Sequence, residues 1–272
     1  MRKPEGGVLT KEQLDQFHAE GYLVLKGLFK QEADELRDHF MKLHAGGPIP
    51  GCFNPLPLEQ SGGDILKAYP RMMHPHRVDE TSMKYMLHPK VMNVLTDLYG
   101  EEPLAAQSMF YFKPPGAKGQ ALHQDNFYLK VEPGTCIAAW TAVDAADEEN
   151  GGLFVVPESN RLAVECPQTA DPNESFTKEY VPVPAGYRAV PVRMAAGDVL
   201  FFNGSVIHGS YPNKSEHRFR RAFICHYANA STVKIATHYK PLYRWDGTEA
   251  DGIRFDNSGG PCGTEHVVAG PH

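Results

Sequence analysis

Apolar and polar positions recur with two different periods along this chain, and the change falls near residue 100. Before it the spacing is helical. Thr10 and Gln13 form a capping box, Leu14, Phe17 and His18 then share one helix face, and Gly21 ends the run. The segment YLVLKGLF that follows is a short β-like stretch. A charge-rich helix is predicted over about residues 31–44, closed by Gly46 and Gly47. Another starts at Pro89, carries Val91, Val94, Leu95 and Leu98 on its inner face, and stops at Gly100.

Past that point, short runs of β-formers lie at 104–113, 135–143, 153–156, 189–194, 199–202 and 219–227. Turn residues such as Glu149-Asn150-Gly151-Gly152 and Ala196-Gly197-Asp198 separate them. Many short strands cut by Gly and Pro predict a mainly β fold, a sandwich or jelly roll, with the N-terminal helices packed on it. The expected organisation is one domain over 1–272, with a helical part at about 9–100, a barrel at about 101–230 and an extension at 231–272. Residues 166–187 are polar and weakly periodic, as in a long functional loop or lid.

Composition narrows the partners. With 42% hydrophobic and 22% charged residues the chain can bury a core, and a net charge of −6 without any basic run removes the electrostatic basis for binding nucleic acid or an anionic membrane. A small-molecule substrate is expected, on a monomer or weak homodimer. The first residues, MRKPEGGVLTKEQLDQF, hold no apolar signal region, and no later stretch reaches membrane-span length, so the expected location is cytoplasmic. The five cysteines, Cys52, Cys136, Cys166, Cys225 and Cys262, are odd in number and scattered, which indicates neither a disulfide framework nor a zinc knuckle. Cys136 and Cys225 sit in apolar runs and read as core residues.

Among thirteen histidines, the question is which have ligand-like company. His18-Ala19-Glu20 ends a helix, where residues i and i+2 do not face each other, so it is a decoy. His123-Gln124-Asp125 follows a strand, and in an extended chain residues i and i+2 point the same way, so an imidazole and a carboxylate can share an ion. His208, after the 199–202 strand and a short turn, supplies the third ligand of a two-histidine, one-carboxylate face, which leaves open positions and suits iron(II). Zinc also binds such a set, so composition alone leaves the metal open. Alternation in 219–227 puts Arg220 on one face with Ala222, Ile224 and His226, and an arginine turned into a barrel needs an anion. Arg221, on the other face, is expected to be solvated. His74-Pro75-His76 reads as loop surface, and His217, His226, His238 and His266 as structural or solvated. Arg71 and Arg77 are candidates for contacting an anionic substrate or cosubstrate.

Four blocks in order, FKPPG ahead of LHQD, AWTAVDAADEENGGLFVVPES, GDVLFFNGSVIHGS and FRRAFICHYA, make the chain resemble the phytanoyl-CoA dioxygenase family from about Leu9 to Ala230. The resemblance implies a double-stranded β-helix that uses iron(II), 2-oxoglutarate and O2. It implies that His123, Asp125 and His208 hold the iron and that Arg220 pairs with the far carboxylate of 2-oxoglutarate, although the His208-to-Arg220 separation is one residue longer than the family pattern. Ser210, Trp140, Gln120 and Met109 match further cosubstrate contacts. Related halogenases lack the carboxylate ligand, whereas Asp125 is present, which favours oxygenation. The implied reaction is hydroxylation of an unactivated C–H bond with release of succinate and CO2. Desaturation or cyclisation on the same fold, and a non-catalytic metabolite-binding barrel, are the alternatives. The absence of a basic run favours a free metabolite over an acyl-CoA as substrate.

Overall fold

The structure, a computed structural model, describes residues 7–263. Thr10 caps helix α1 (Lys11–Glu20): its hydroxyl accepts from Gln13 N–H while the Gln13 side chain accepts from Thr10 N–H. Gly21 closes α1 at φ 84°, and a Cβ there would stand 2.5 Å from Val206 Cγ2, so only glycine lets the helix end pack beside the turn that leads to His208.

The chain then forms β1 (Tyr22–Leu25), α2 (Ala33–Ala45), α3 (Ile65–Ala68), β2 (Met72–Met73), α4 (Glu80–Met86) and α5 (Pro89–Tyr99). Strands follow as β3 (Pro103–Tyr111) and β4 (Gln120–His123), then one helical turn, α6 (Asn126–Leu129). Next come β5 (Ile137–Ala142), β6 (Leu153–Val155), β7 (Gln168–Thr169), β8 (Glu179–Tyr180), β9 (Val190–Val192), β10 (Val199–Asn203), β11 (His208–Ser210) and β12 (Ala222–Asn229). The chain ends with β13 (Lys234–Ile235) and β14 (Arg254–Phe255). The predicted elements lie within a few residues of these bounds, and the N-terminal part adds β1 and β2 to the sheet as well as helices.

Two antiparallel sheets face each other, one ordered β1-β10-β5-β12-β3-β2 and the other β4-β11-β6-β9. Period-two alternation divides the larger sheet cleanly. Phe110, Ala139, Phe201, Phe223 and Cys225 point outward and pack under Leu36, Phe40, Val94 and Leu95 of α2 and α5. Met109, Ala138, Trp140, Leu200, Phe202 and Ile224 point inward and meet Leu153, Val155 and Val192 of the smaller sheet. The helices therefore seal one face, and the space between the sheets holds the candidate site. This is the jelly-roll architecture expected.

The tail after Ser231 packs on the barrel: Ile235, Tyr239 and Leu242 are buried with Leu104, Ala106, Leu129 and Val131, and β13 pairs with β14 in parallel. Cys166 and Cys262 form a disulfide, which corrects the expectation drawn from scattered, odd-numbered cysteines: residues 96 apart in sequence meet because the tail crosses back to the 166–187 segment. Cys52, Cys136 and Cys225 are buried thiols, as expected for the last two. Arg221 is a second correction. It is mostly buried and pairs side-on with Asp144, Nε–Oδ2 2.7 Å and Nη2–Oδ1 2.8 Å. His74-Pro75-His76 is not loop surface but a buried 3-10 turn, with His74 in the left-handed region at φ 53°. His266 lies outside the described residues. Among the described residues no helix is long and apolar enough to cross a membrane.

Candidate active site

His123 is the last residue of β4 and His208 the first of β11, and the two are Cα partners across the antiparallel pair. Asp125 follows the strand with φ −61° and ψ −35°, so it shares the ion site through the turn into α6 and not through strand alternation as the sequence suggested. The result is nonetheless convergent: Asp125 Oδ1 lies 3.5 Å from His123 Nε2 and 3.6 Å from His208 Nε2. One ligand atom from each of the three residues falls within 4.8 Å of the others, and all three side chains are buried. His18-Ala19-Glu20 joins no such group among the described residues.

The surroundings prepare this set for a metal. His123 Nδ1–H donates to Ala121 O at 2.8 Å and His208 Nδ1–H to Val206 O at 3.0 Å, which turns both Nε2 lone pairs toward Asp125. Burial pushes His208 down to about 4, against the pull of the Asp125 carboxylate, so the ring is the neutral imidazole a metal requires. His226 Nε2–H donates to Asp125 Oδ2 at 2.9 Å and orients the carboxylate. This histidine, read from sequence as structural or solvated, is 1% exposed and belongs to the site; strand alternation had placed it on the face of Arg220. A divalent cation of the iron class fits the donor set, and His123, Asp125 and His208 would hold it.

Beside the triad is a cavity lined by Met109, Gln120, Trp140, Ser210 and Arg220, which brings all five remaining candidates together. Gln120 Nε2 reaches His123 Nε2 at 3.3 Å. Arg220 precedes β12 and is not part of it, yet it points inward and is 2% exposed. Its Nε donates to Gly151 O at 2.9 Å, and its guanidinium carbon sits 5.2 Å from the Trp140 ring centre. Nη1 is buried with no hydrogen-bond partner among the described residues, and burial lowers the guanidinium to about 10. Its neighbour Arg221 is occupied by Asp144.

Sequence reasoning missed Lys113. The lysine of FKPPG is 3% exposed, and its Nζ donates to Ser210 Oγ at 2.7 Å. Burial, then the Arg220 charge, holds it well below the ordinary lysine range. Lys113 meets the hydroxyl that lines the same cavity as Arg220, and neither basic group has an ion-pair partner among the described residues, so the arrangement can receive an anion. The motif itself was the one available signal. Arg77 donates to the carbonyls of His238 and Lys240, at 3.1 and 2.9 Å, and faces away from the site, whereas Arg71 Nη1 donates to Tyr111 Oη at 3.0 Å and lines a second, larger cavity.

Comparison with known proteins agrees with this geometry. The chain is 28% identical over 244 residues to phytanoyl-CoA dioxygenase 1 of Oryza sativa subsp. japonica, covering 78% of this chain and 86% of that one. It is 26% identical over 239 residues to the peroxisomal phytanoyl-CoA dioxygenase of Bos taurus, covering 84% and 71%. Its fold is that of the epimerase SnoN, solved in complex with Fe3+, alpha ketoglutarate and nogalamycin RO, with a TM-score of 0.67 at 20% identity over 92% of this chain and 96% of that one. It is also that of EctD from S. alaskensis, solved with 2-oxoglutarate and 5-hydroxyectoine, with a TM-score of 0.64 at 19% identity over 85% and 79%. The family model for phytanoyl-CoA dioxygenase matches residues 17–222, which contain every residue of the triad and of the cation pair, and the chain belongs to that family.

Proposed function

We propose that this iron(II)- and 2-oxoglutarate-dependent dioxygenase hydroxylates an unactivated C–H bond of a free small metabolite. The observation that carries the reading is the buried Arg220, whose Nη1 lacks a partner among the described residues, opening on the same cavity as Asp125 and His208 of the triad. A dicarboxylate that places one end at a metal and the other at Arg220 matches both features.

When bound, iron(II) with 2-oxoglutarate and O2 supplies the oxidising power: one oxygen atom leaves in succinate as CO2 is released, and the other enters the substrate C–H bond. The protein's residues position the reactants. Arg220 and Ser210 hold the far carboxylate, with Lys113 behind it on the Ser210 hydroxyl, Trp140 and Met109 as its walls and Gln120 beside His123. His226 keeps Asp125 turned toward the two imidazoles. Phe202, Ile224 and Leu153 keep the cavity apolar, which strengthens the charge pairing inside it.

The test is succinate release from 2-oxoglutarate by iron-loaded protein after oxygen is admitted, across a metabolite panel. We expect stimulation by a free metabolite, loss in His123→Ala, and a raised 2-oxoglutarate requirement in Arg220→Ala. Failure to bind iron(II) or 2-oxoglutarate would sink the reading, and hydroxylation of an acyl-CoA alone would overturn the choice of a free metabolite. A product with a new double bond or ring would replace hydroxylation by desaturation or cyclisation. The reading includes a monomer or weak homodimer without nucleic-acid or membrane partners. A cytoplasmic location belongs to it too, and the redox state of Cys166 and Cys262 in the cell tests it, because reducing compartments keep such thiols reduced.

A further inference from the structure

A cavity of about 700 Å3 adjoins the metal-side cavity, and Tyr111 lines both. Five basic side chains border it, Lys67, Arg71, Lys113, Lys118 and Lys178, against a single carboxylate, Asp64. In a chain of net charge −6 this is a local inversion of sign. None of the five has an ion-pair partner among the described residues: Arg71 donates to the Tyr111 hydroxyl, Lys113 is committed to Ser210 Oγ, and Lys118 donates to Pro172 O at 2.7 Å. Elsewhere Arg193, Arg218, Arg221 and Arg244 all carry carboxylates.

The two arginines near Tyr111 divide the space between them. Each guanidinium carbon lies 5.9 Å from the Tyr111 ring centre, but Arg220 opens on the metal side and Arg71 on the larger cavity. The far wall is the β7–β8 hairpin and its tip. It is fastened to the strand that delivers His123: Gly119 N–H donates to Glu174 O at 2.9 Å, Phe176 N–H to Gly119 O at 3.1 Å, and Ala121 N–H to Ser175 Oγ at 3.0 Å. One wall of the cavity is thus anchored to the strand that carries His123, with Tyr69 and Phe176 as flat apolar walls.

We infer that this cavity is the substrate chamber and that it selects a small molecule bearing a carboxylate or phosphate, held by Lys67, Arg71, Lys118 and Lys178, with its apolar part on Tyr69 and Phe176. Unpaired cations at a low-dielectric opening concentrate an anion there and align it before the apolar portion is buried. The inference rests on the oxygenase reading for the word substrate, but its physical content is anion recognition, and it is tested by binding alone.

The protein loaded anaerobically with iron(II) and saturating 2-oxoglutarate is titrated calorimetrically with 2-naphthoate, 2-naphthyl phosphate and neutral 2-naphthol. Saturating 2-oxoglutarate keeps the probes from Arg220. Both anions are expected to bind about tenfold tighter than 2-naphthol, and that advantage is expected to shrink several-fold in K67M/K178M and in high salt. Affinity for 2-naphthol is expected to stay the same in the variant, which shows that the chamber is still folded. The ratio of the two anions tells carboxylate from phosphate. Equal affinity for anion and naphthol, an anion preference untouched by the double substitution, or no binding of any probe would overturn the inference. Succinate release is measured separately, so a failed oxygenase reading leaves its own mark and does not alter the anion preference.

Discussion

His123 and His208 are directly opposed across the β4–β11 pair, and their ring centres lie 4.2 Å apart. Residues in that register are held by the sheet's own hydrogen bonds, so the spacing of the two imidazoles is set by backbone pairing before any metal arrives. Asp125 depends instead on a turn and on His226.

That dependence is measurable. His226→Ala is expected to lower iron(II) affinity by about ten- to a hundredfold, the usual effect of removing a partner that orients a metal ligand, while the thermal unfolding of metal-free protein changes little. Anaerobic iron titration reads the first and circular dichroism the second; unchanged iron affinity would remove His226 from the site.

Lys113 should give 2-oxoglutarate binding an alkaline limb. Burial and the Arg220 charge hold its ammonium well below 10.5, and a carboxylate binds the protonated form. Affinity is therefore full below the Lys113 pKa of the free protein and falls as pH rises through it. Lys113→Met is expected to weaken binding below that pKa and flatten this limb, as read by anaerobic calorimetry across the pH range in which the protein stays folded.

The adjacent arginines should separate cleanly. Arg220→Ala is expected to raise the 2-oxoglutarate KM by about thirtyfold or more, since truncating one partner of a buried charge pair costs about 2–5 kcal/mol. Arg221→Ala removes the partner of Asp144 and is expected to lower the melting temperature with the KM unchanged. The reverse pattern would move the cosubstrate contact to Arg221.

Under denaturing, non-reducing conditions, thiol titration should find Cys52, Cys136 and Cys225 reactive and the Cys166–Cys262 pair silent until reductant is added. All five cysteines found alkylated in protein isolated in the presence of an alkylating agent would instead place the pair as a dithiol in a reducing compartment.

Phe40 stacks on Phe110 with ring centres 3.9 Å apart and is fully buried between α2 and the outer face of the large sheet. Phe40→Ala is expected to cost about 3–5 kcal/mol by denaturant titration, because this contact seats the helical layer on the barrel.

Much of this was readable along the chain. The capping box at Thr10, the helix from Pro89 to Gly100 and the alternation that turns Trp140 and Ile224 inward are consequences of neighbours within one or two turns of chain, and local sequence encodes them directly. The triad was readable because its ligands sit in short blocks beside strands, a placement the His18-Ala19-Glu20 decoy on a helix lacks. What only the tertiary structure decided lies at longer range. Lys113 meets Ser210 across 97 residues and His226 meets Asp125 across 101, and neither pairing leaves a periodic trace. Cys166 finds Cys262 because the tail returns over the barrel. Lys67, Arg71, Lys118 and Lys178 form a basic chamber in an acidic chain that has no basic run. Charge patterning along a sequence registers only neighbours in the chain, whereas a field at a cavity sums over neighbours in space, and folding alone determines which residues those are.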